Sequence, residues 1–180
     1  CVNGAPNTCP PGAQGVETCN NLDDNCDGTV DNDIAGATDA LEPNSACGSY
    51  RSLGTVAEAN SEQSWSATIY PSGDEDWYRI YAEEGTHTCF PGTDQDYRVR
   101  VRLVPPAGAD CVDFDVQLLN DGCGVLATGQ LGGCSAESIE YTWDGSCGGD
   151  DSAYFRIRVY GFGGSFECVG YTLYVDMWQV

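Results

Sequence analysis

The stretches YRVRVRLV, residues 97–104, and VDFDVQLL, residues 112–119, decide the fold. In both, apolar side chains alternate with polar ones, which is the period of a β-strand with one buried face. The turn sequence PPAGAD between them predicts a hairpin centred on Ala107 and Gly108. Its polar face would place three sets of residues opposite one another: Arg102 with Asp113, Arg100 with Asp115, and Arg98 with Gln117.

The same alternation continues on both sides of this pair, and no helical periodicity is visible. Six further strands are predicted, at residues 64–70, 77–82, 125–128, 138–143, 153–161 and 171–178. Residues 37–54 are predicted to be a linker and an entrance to the domain. Short strands separated by Gly, Asp and Pro turns indicate an all-β fold, an antiparallel β-sandwich over residues 37–180.

The predicted strands carry two kinds of side chain that could bind a ligand. Five arginines on one face could hold an anion, but pairing with the abundant carboxylates is the simpler interpretation: Arg98, Arg100, Arg102, Arg156 and Arg158. Four tryptophans and ten tyrosines could form a stacking platform for a sugar or a peptide. Strands favour aromatic residues in any case, so packing is the simpler interpretation here too.

The composition limits the partners and the compartment. The net charge is −21, and all seven basic residues are arginine, so nucleic acid and anionic membranes would be repelled. No apolar run reaches the length of a membrane helix, so no membrane insertion is expected. Eleven cysteines indicate an oxidising compartment, and we expect a mature or trimmed secreted chain.

The odd number of cysteines leaves one thiol over, which would be free, bound to another chain, or bound to a part of the protein outside this sequence. Cys1 could carry a lipid, although pairing with Cys9 is the preferred interpretation. Cys19 and Cys26 bracket an acidic loop, and a disulfide between them would close an eight-residue ring. On chain-entropy grounds this ring would stabilise the fold by roughly 2.5 kcal/mol.

The acidic loop is NNLDDNCDGTVDND, residues 20–33, and it contains the first half of the D-x-[DN]-x-[DN]-G calcium motif. Its glycine permits a sharp turn, so that oxygens converge on one hard cation from Asp23, Asn25, Asp27 and the carbonyl of Thr29. Ile34 stands where the helix-loop-helix version has its glutamate, so the shell would be completed by Asp31, Asp33 or Glu17. The alternative is a solvated acidic turn, but unrelieved repulsion among the aspartates favours calcium.

Residues 1–36 are similar to the short Cys-rich metal-binding repeat of large secreted bacterial proteins, in which E-x-C-N precedes a D-D-x-C-D-G core and a closing acidic pair. The residues on that pattern are Glu17, Cys19, Asn20, Asp23, Asp24, Cys26, Asp27, Gly28 and Asp31. The resemblance implies a metal-binding module stapled by disulfides. One family with this repeat is named for copper binding, which needs histidines that this segment lacks, so calcium stays the expected ion.

The remaining chain, over residues 39–180, resembles the bacterial pre-peptidase C-terminal domain through the ordered motifs EPNS, GDEDWYRI, DFDVQLLND and AYFRIRVYGFGGSFECVGYTLYV. That family is a secreted, jelly-roll-like sandwich appended to proteases, collagenases and surface proteins. Some members hold calcium between the opening acidic segment and the G-D-x-D turn. Carried over to this sequence, the resemblance implies a second site at Glu42, Asn44, Asp74 and Asp76, with two solvated acidic turns as the alternative. Ser45 departs from the family's aspartate.

Catalysis is not expected. Nucleophilic hydrolysis needs a base beside the nucleophile, and the single histidine, His87, lies next to Cys89, which is better explained as a structural disulfide cysteine. Acidic residues are so numerous that no pattern selects one carboxylate pair for glycoside hydrolysis.

The sequence therefore predicts a secreted, non-catalytic, calcium-stabilised module for adhesion or substrate targeting at the bacterial cell surface, with a protein or polysaccharide ligand. The alternative is a structural subunit of an extracellular filament or surface layer, assembled through strand edges or the odd cysteine. A hydrolase ranks last. The bound calcium would hold shape rather than carry a signal, with an affinity of about 10⁻⁴ to 10⁻³ M.

Overall fold

A computed structural model describes residues 15–20, 22–35, 37–58, 62–71, 73–88, 95–106, 112–164, 168 and 170–180. Cys1 and Cys9, and with them their predicted pairing, lie outside these residues. Cys89 and the centre of the predicted hairpin also lie outside them.

The described residues contain nine β-strands, in chain order: β1 Arg51–Ala57, β2 Gln63–Ala67, β3 Glu75–Glu83, β4 Gln95–Val104, β5 Phe114–Asn120, β6 Val125–Gly129, β7 Glu137–Gly145, β8 Ala153–Gly161 and β9 Tyr171–Gln179. A single 3-10 turn, Phe162–Gly164, follows β8. The described residues contain no α-helix, so the all-β prediction is confirmed. All eight predicted strands are present.

The strands form two sheets that face each other. One sheet has five strands in the order β1-β3-β8-β5-β6, and the other has four in the order β2-β9-β4-β7. All pairings are antiparallel except that of β1 with β3, which is parallel. β1 begins inside the segment predicted to be a linker, so the prediction of a linker up to residue 54 was wrong at its end. The fold is a β-sandwich with one mixed sheet.

The predicted hairpin between β4 and β5 is wrong. β4 pairs with β7 and β9 in the four-stranded sheet, whereas β5 pairs with β6 and β8 in the five-stranded sheet. The alternating pattern determined which face of each strand is buried, but it carries no information about which strand lies alongside. The chain therefore crosses from one sheet to the other between these strands, and each buries its apolar face against the opposite sheet.

The core lies between the two sheets and explains the alternation. Along β4, Tyr97, Val99, Val101 and Leu103 are fully buried while the intervening residues are half-exposed. The facing residues of the five-stranded sheet include Tyr78, Ile80, Val116, Leu118, Ile157 and Val159. Burial of such side chains contributes about 1.5–3 kcal/mol each. The packing of the two sheets on this core fixes the positions of the strand ends, and acidic segments of the chain meet at one of these ends.

The five strand arginines lie on the outer faces of both sheets, so they do not form the single anion-binding face of the alternative interpretation. Each of them pairs with a carboxylate, which confirms the structural interpretation: Arg98 with Glu140, Arg100 with Asp176, Arg102 with Glu62, Arg156 with Asp121, and Arg158 with Glu75.

Some of the aromatic residues pack in the core, and others lie on the surface of the sandwich. Trp143 packs 5.0 Å from Phe155, whereas the Arg158 guanidinium lies over the surface rings of Trp77 and Tyr160.

Two disulfides join distant parts of the chain. Cys19 bonds to Cys168, between β8 and β9, with 6.0 Å between their Cα atoms, so the predicted Cys19–Cys26 ring is wrong. Cys26 is itself in a disulfide. The loop turns sharply at Cys26, whose φ is 63°, and Cys19 reaches the sandwich instead. A disulfide between residues 149 apart removes more conformational entropy from the unfolded chain than a short ring would. It therefore stabilises the fold by about 5 kcal/mol. The second disulfide joins Cys47 to Cys123.

Candidate metal centre

Three carboxylates meet beside the first strand pair of the five-stranded sheet. Glu42 belongs to the segment before β1, Asp74 to the turn before β3, and Asp76 is the second residue of β3. One ligand oxygen from each lies within 4.8 Å of the other two. This spacing is about twice a calcium–oxygen distance, so one ion could contact all three oxygens. We call these residues, together with Asn44, the Glu42 cluster.

Backbone hydrogen bonds bring the two acidic turns together. The Trp77 N–H donates to the carbonyl of Asn44 at 2.8 Å, which joins the early segment to β3. The Asn44 N–H donates to Glu42 Oε2 at 3.0 Å, and the Tyr70 N–H donates to Asp74 Oδ2 at 3.3 Å. These bonds position the side chains without using all of their oxygens.

Several polar atoms of the Glu42 cluster are buried without a hydrogen-bond partner. They are Glu42 Oε1, Asp76 Oδ1, and both the Oδ1 and Nδ2 atoms of Asn44. Asn44 and Asp76 are fully inaccessible to solvent. An unsatisfied buried polar group costs about 1–3 kcal/mol, and more when it is charged. Carboxylate oxygens of the cluster that lack a partner could therefore coordinate a cation.

The electrostatics of the cluster favour a positive ion. Burial raises the pKa of Asp76 to about 7, and repulsion from Asp39 and Asp74 adds to this effect. A hydrogen bond from the Tyr171 hydroxyl partly opposes it. Burial likewise raises the pKa of Glu42, with a further contribution from Asp74. Among the described residues, no salt bridge involves these carboxylates, so no protein cation neutralises them.

Asp39 is a neighbour of the cluster that the sequence did not single out. Its carboxylate raises the pKa of both Glu42 and Asp76, and it accepts hydrogen bonds from the N–H groups of Leu41 and Thr68, each at 2.7 Å. Asp39 stands three residues before Glu42 in TDALEPNS, and this excess of acid ahead of the E-P-N motif was the available signal. Four carboxylates thus influence one small volume.

The structure also shows how the N-terminal loop is held. The buried carboxylate of Glu17 accepts the N–H of Asn25 at 2.7 Å and the N–H of Asp31 at 3.1 Å. Asp23 accepts the N–H groups of Asp27 and Gly28 at 3.2 and 3.0 Å. Glu17 and Asp23 therefore form hydrogen bonds that close the loop on itself.

The predicted calcium ligands of this loop lie close along the chain, and several of their carboxylates accept hydrogen bonds from within the loop. The Asp27 carboxylate accepts the Thr29 N–H at 2.8 Å and the Asn32 side-chain amide at 2.7 Å. Asp31 accepts the Asn20 N–H at 3.1 Å, and Asp33 is exposed with a φ of 51°. Among the described residues, the Glu42 cluster alone gathers three carboxylate, histidine or cysteine ligand atoms within 4.8 Å. A calcium ion in the N-terminal loop stays a prediction.

His87 has a carboxylate neighbour rather than a nucleophile among the described residues. Its Nε2 atom lies 2.5 Å from Glu58 Oε2, which also accepts the Gly85 N–H at 2.9 Å. A polar cavity of about 300 Å³ adjoins this pair and is lined by His87, Glu84, Gln95 and Asp150. These contacts place the His87 ring within hydrogen-bonding distance of the Glu58 carboxylate.

No protein-family model matches this chain, and no curated protein matches it. Among the described residues, no helix has the length and apolar character needed to cross a bilayer. The Glu42 cluster is the feature of the described residues that points most directly to a function.

Proposed function

We propose that this chain is a secreted, non-catalytic β-sandwich module, stabilised by calcium, that serves adhesion or substrate targeting at the bacterial cell surface. The observation that carries the proposal is the Glu42 cluster, in which Glu42, Asp74 and Asp76 converge while buried oxygens lack partners. Carboxylate and amide oxygens suit hard cations, and calcium accepts about six to eight such ligands in irregular arrangements.

The position of the cluster supports a structural role for the ion. Glu42 and Asn44 lie in the segment that leads from the N-terminal loop into the sandwich, whereas Asp74 and Asp76 belong to the start of β3. An ion bound between them would fix this segment to the sheet. A ligand that binds only the folded state stabilises it by about 2.7 kcal/mol when its concentration is a hundred times its dissociation constant.

Extracellular use is supported by the disulfides and the surface charge. Seven described cysteines are in disulfides, which persist in oxidising compartments: Cys19, Cys26, Cys47, Cys123, Cys134, Cys147 and Cys168. Calcium is abundant outside cells, and a chain with a net charge of −21 gains from binding it. For the ligand of such a module, the outer face of the five-stranded sheet offers partly exposed rings, including Tyr154, which is 45% exposed.

Thermal unfolding in millimolar calcium and in chelator tests this proposal. The wild-type chain should unfold several degrees higher with calcium, and Asp76→Asn should lose the part of that response that the Glu42 cluster provides. Asp144→Asn, an exposed aspartate on β7, is the matched control and should respond like the wild type. An unchanged wild-type midpoint after complete removal of calcium would overturn the proposal.

The alternative, a subunit of a filament or surface layer, has one feature in its favour. β7 is a nine-residue edge strand of the four-stranded sheet, and such an edge can pair with another chain. Light scattering in millimolar calcium without reductant distinguishes the two functions. A persistent monomer excludes the polymer, whereas calcium-dependent growth in mass would favour it.

A further inference from the structure

The polar cavity beside His87 has no part in the Glu42 cluster. It lies between two connections, one that joins β3 to β4 and one that joins β7 to β8. We call it the Gln95 cavity, and its wall includes Glu84, His87, Gln95, Gly148, Gly149 and Asp150. Its volume of about 300 Å³ lies at the lower end of the range for ligand pockets.

Hydrogen bonds hold the two walls of the Gln95 cavity together. Glu84 joins them, because its Oε1 atom accepts the Tyr97 hydroxyl at 2.6 Å and its Oε2 atom accepts the Asp151 N–H at 2.7 Å. The Trp143 indole N–H donates to the carbonyl of Asp151 at 2.9 Å, and Cys147 is in a disulfide. A wall fixed in this way loses little conformational entropy when a ligand binds.

The side-chain amide of Gln95 is a hydrogen-bond donor that the protein does not use. Gln95 is only 8% exposed, and it lines the cavity. Its Oε1 atom receives a long bond, 3.4 Å, from the Tyr97 hydroxyl, whose shorter bond goes to Glu84. Among the described residues, no group accepts a hydrogen bond from the Gln95 side-chain nitrogen. This donor is therefore available to an acceptor oxygen on a ligand.

The charge around the cavity favours a cation. Glu58 is engaged by His87, but no salt bridge among the described residues includes Glu84 or Asp150. Burial raises the pKa of Tyr97, and the hydrogen bond to Glu84 and the charge of Glu58 raise it further. The potential at the base of the cavity is therefore negative, which attracts positive groups and repels anions.

We propose that the Gln95 cavity binds a lysine or arginine side chain of a partner polypeptide. The ammonium or guanidinium group would donate hydrogen bonds to the carboxylates of Glu84 and Asp150, which can each accept more bonds than they form in the protein. A peptide carbonyl beside that side chain would accept the unused N–H of Gln95. A metal ion is less suitable, because three carboxylate or histidine ligand atoms do not gather within 4.8 Å among the described residues of this cavity.

This inference rests on the proposed function, since it names the ligand of a non-catalytic binding module, but it uses a separate site. Asp76 is the second residue of β3, and Glu84 directly follows the last. Eight residues of strand separate them, which corresponds to about 26 Å. The variant Asp76→Asn should therefore lose its calcium ion and still bind the partner side chain.

Nuclear magnetic resonance titration with N-acetyl-lysine methylamide, in millimolar calcium, tests the site. The probe should cause saturable shifts of the Gln95 side-chain amide and of the backbone N–H groups of Gly148 and Gly149. The arginine counterpart should do the same. The norleucine counterpart keeps the aliphatic side chain but has no ammonium group, so it should leave these signals unchanged.

A matched pair of variants tests the role of the charge. Asp150→Asn keeps the oxygen that accepts the Ser152 N–H at 3.1 Å, and it should weaken binding of the lysine probe about three- to fivefold. Glu140→Gln also removes one negative charge, from an exposed side chain of β7, and should bind the probe like the wild type.

Equal shifts with the lysine and norleucine probes would overturn the inference, and this comparison needs only the wild-type chain. Equal weakening by Asp150→Asn and Glu140→Gln would also overturn it, because the probe would then respond to the net charge alone. Tighter binding of cadaverine, a free diamine, than of the lysine probe would exclude a polypeptide ligand. Lysine binding in a wild-type chain that shows no calcium response would support this site and contradict only the proposed calcium stabilisation.

Discussion

Replacement of Asp76 by asparagine should stabilise the calcium-free protein while removing the part of its calcium response that comes from the Glu42 cluster. Asparagine keeps the shape of the side chain and an oxygen that can accept the Tyr171 hydroxyl, but it carries no charge. The charge is costly without calcium because Asp76 is fully buried and faces Glu42 and Asp74. The same charge becomes favourable once a cation is bound. An ordinary buried structural acid would give the opposite result in chelator.

The magnitude follows from the pKa of Asp76, which is raised from 3.8 to about 7. This difference of about three pH units, at about 1.4 kcal/mol each, corresponds to roughly 4 kcal/mol of destabilisation when the carboxylate is ionised. Because the folded-state pKa is the higher one, the calcium-free fold holds the proton more tightly than the unfolded chain does. Its stability is therefore greatest below about pH 4 and is lost as the pH rises through about 7.

Thermal unfolding in chelator at about pH 5 and about pH 8 measures this effect. At the higher pH, Asp76→Asn should unfold about 8–16 °C above the wild type, since each kcal/mol shifts a domain of this size by about 2–4 °C. At the lower pH the difference between the two unfolding midpoints should shrink, because the wild-type Asp76 carboxyl is then mostly protonated. Asp144→Asn, exposed on β7, should change little at either pH. A midpoint for Asp76→Asn at or below that of the wild type in chelator at the higher pH would refute the reasoning.

Three further predictions concern the scaffold. Peptide mapping without reductant should yield a peptide joining Cys19 to Cys168, and Cys19→Ser should destabilise the fold by up to about 5 kcal/mol; a peptide joining Cys19 to another cysteine contradicts this. Tyr171→Phe removes the hydrogen bond that the Tyr171 hydroxyl donates to the buried Asp76 carboxylate and the one it shares with the Tyr78 hydroxyl. The change should cost about 1–3 kcal/mol in urea unfolding, whereas an unchanged midpoint would show that these bonds contribute nothing. Leu103→Ala should cost about 2–5 kcal/mol and Arg98→Ala less than about 1, because the first is fully buried and the second forms an exposed ion pair; equal losses would refute the assigned core.

The strands could be predicted wherever one face is buried and the other is wet. β8 has the predicted bounds because Phe155, Ile157 and Val159 alternate with polar residues over its whole length. β1 escaped prediction because RSLGTVA has little alternation and lies at an edge, where most of its side chains are exposed. The partners of β4 and β5 could not be predicted either, since period-two alternation is equally compatible with a hairpin and with a crossing between sheets.

The acidic residues show the same limit: a sequence motif can identify candidate ligands, but not their neighbours in space. The family resemblance picked out Glu42 and Asp76, but only the fold brings residues 34 positions apart within reach of one ion. Asp39 was missed because it belongs to no motif, and it influences the cluster only through space.

The most direct measurement of the central claim is an experimental structure of the chain grown in millimolar calcium. We expect an ion at about 2.3–2.6 Å from oxygens of Glu42, Asp74 and Asp76, with the Asn44 side chain turned toward it. Fully ordered carboxylates at this place without an ion, in crystals that contain calcium, would contradict it.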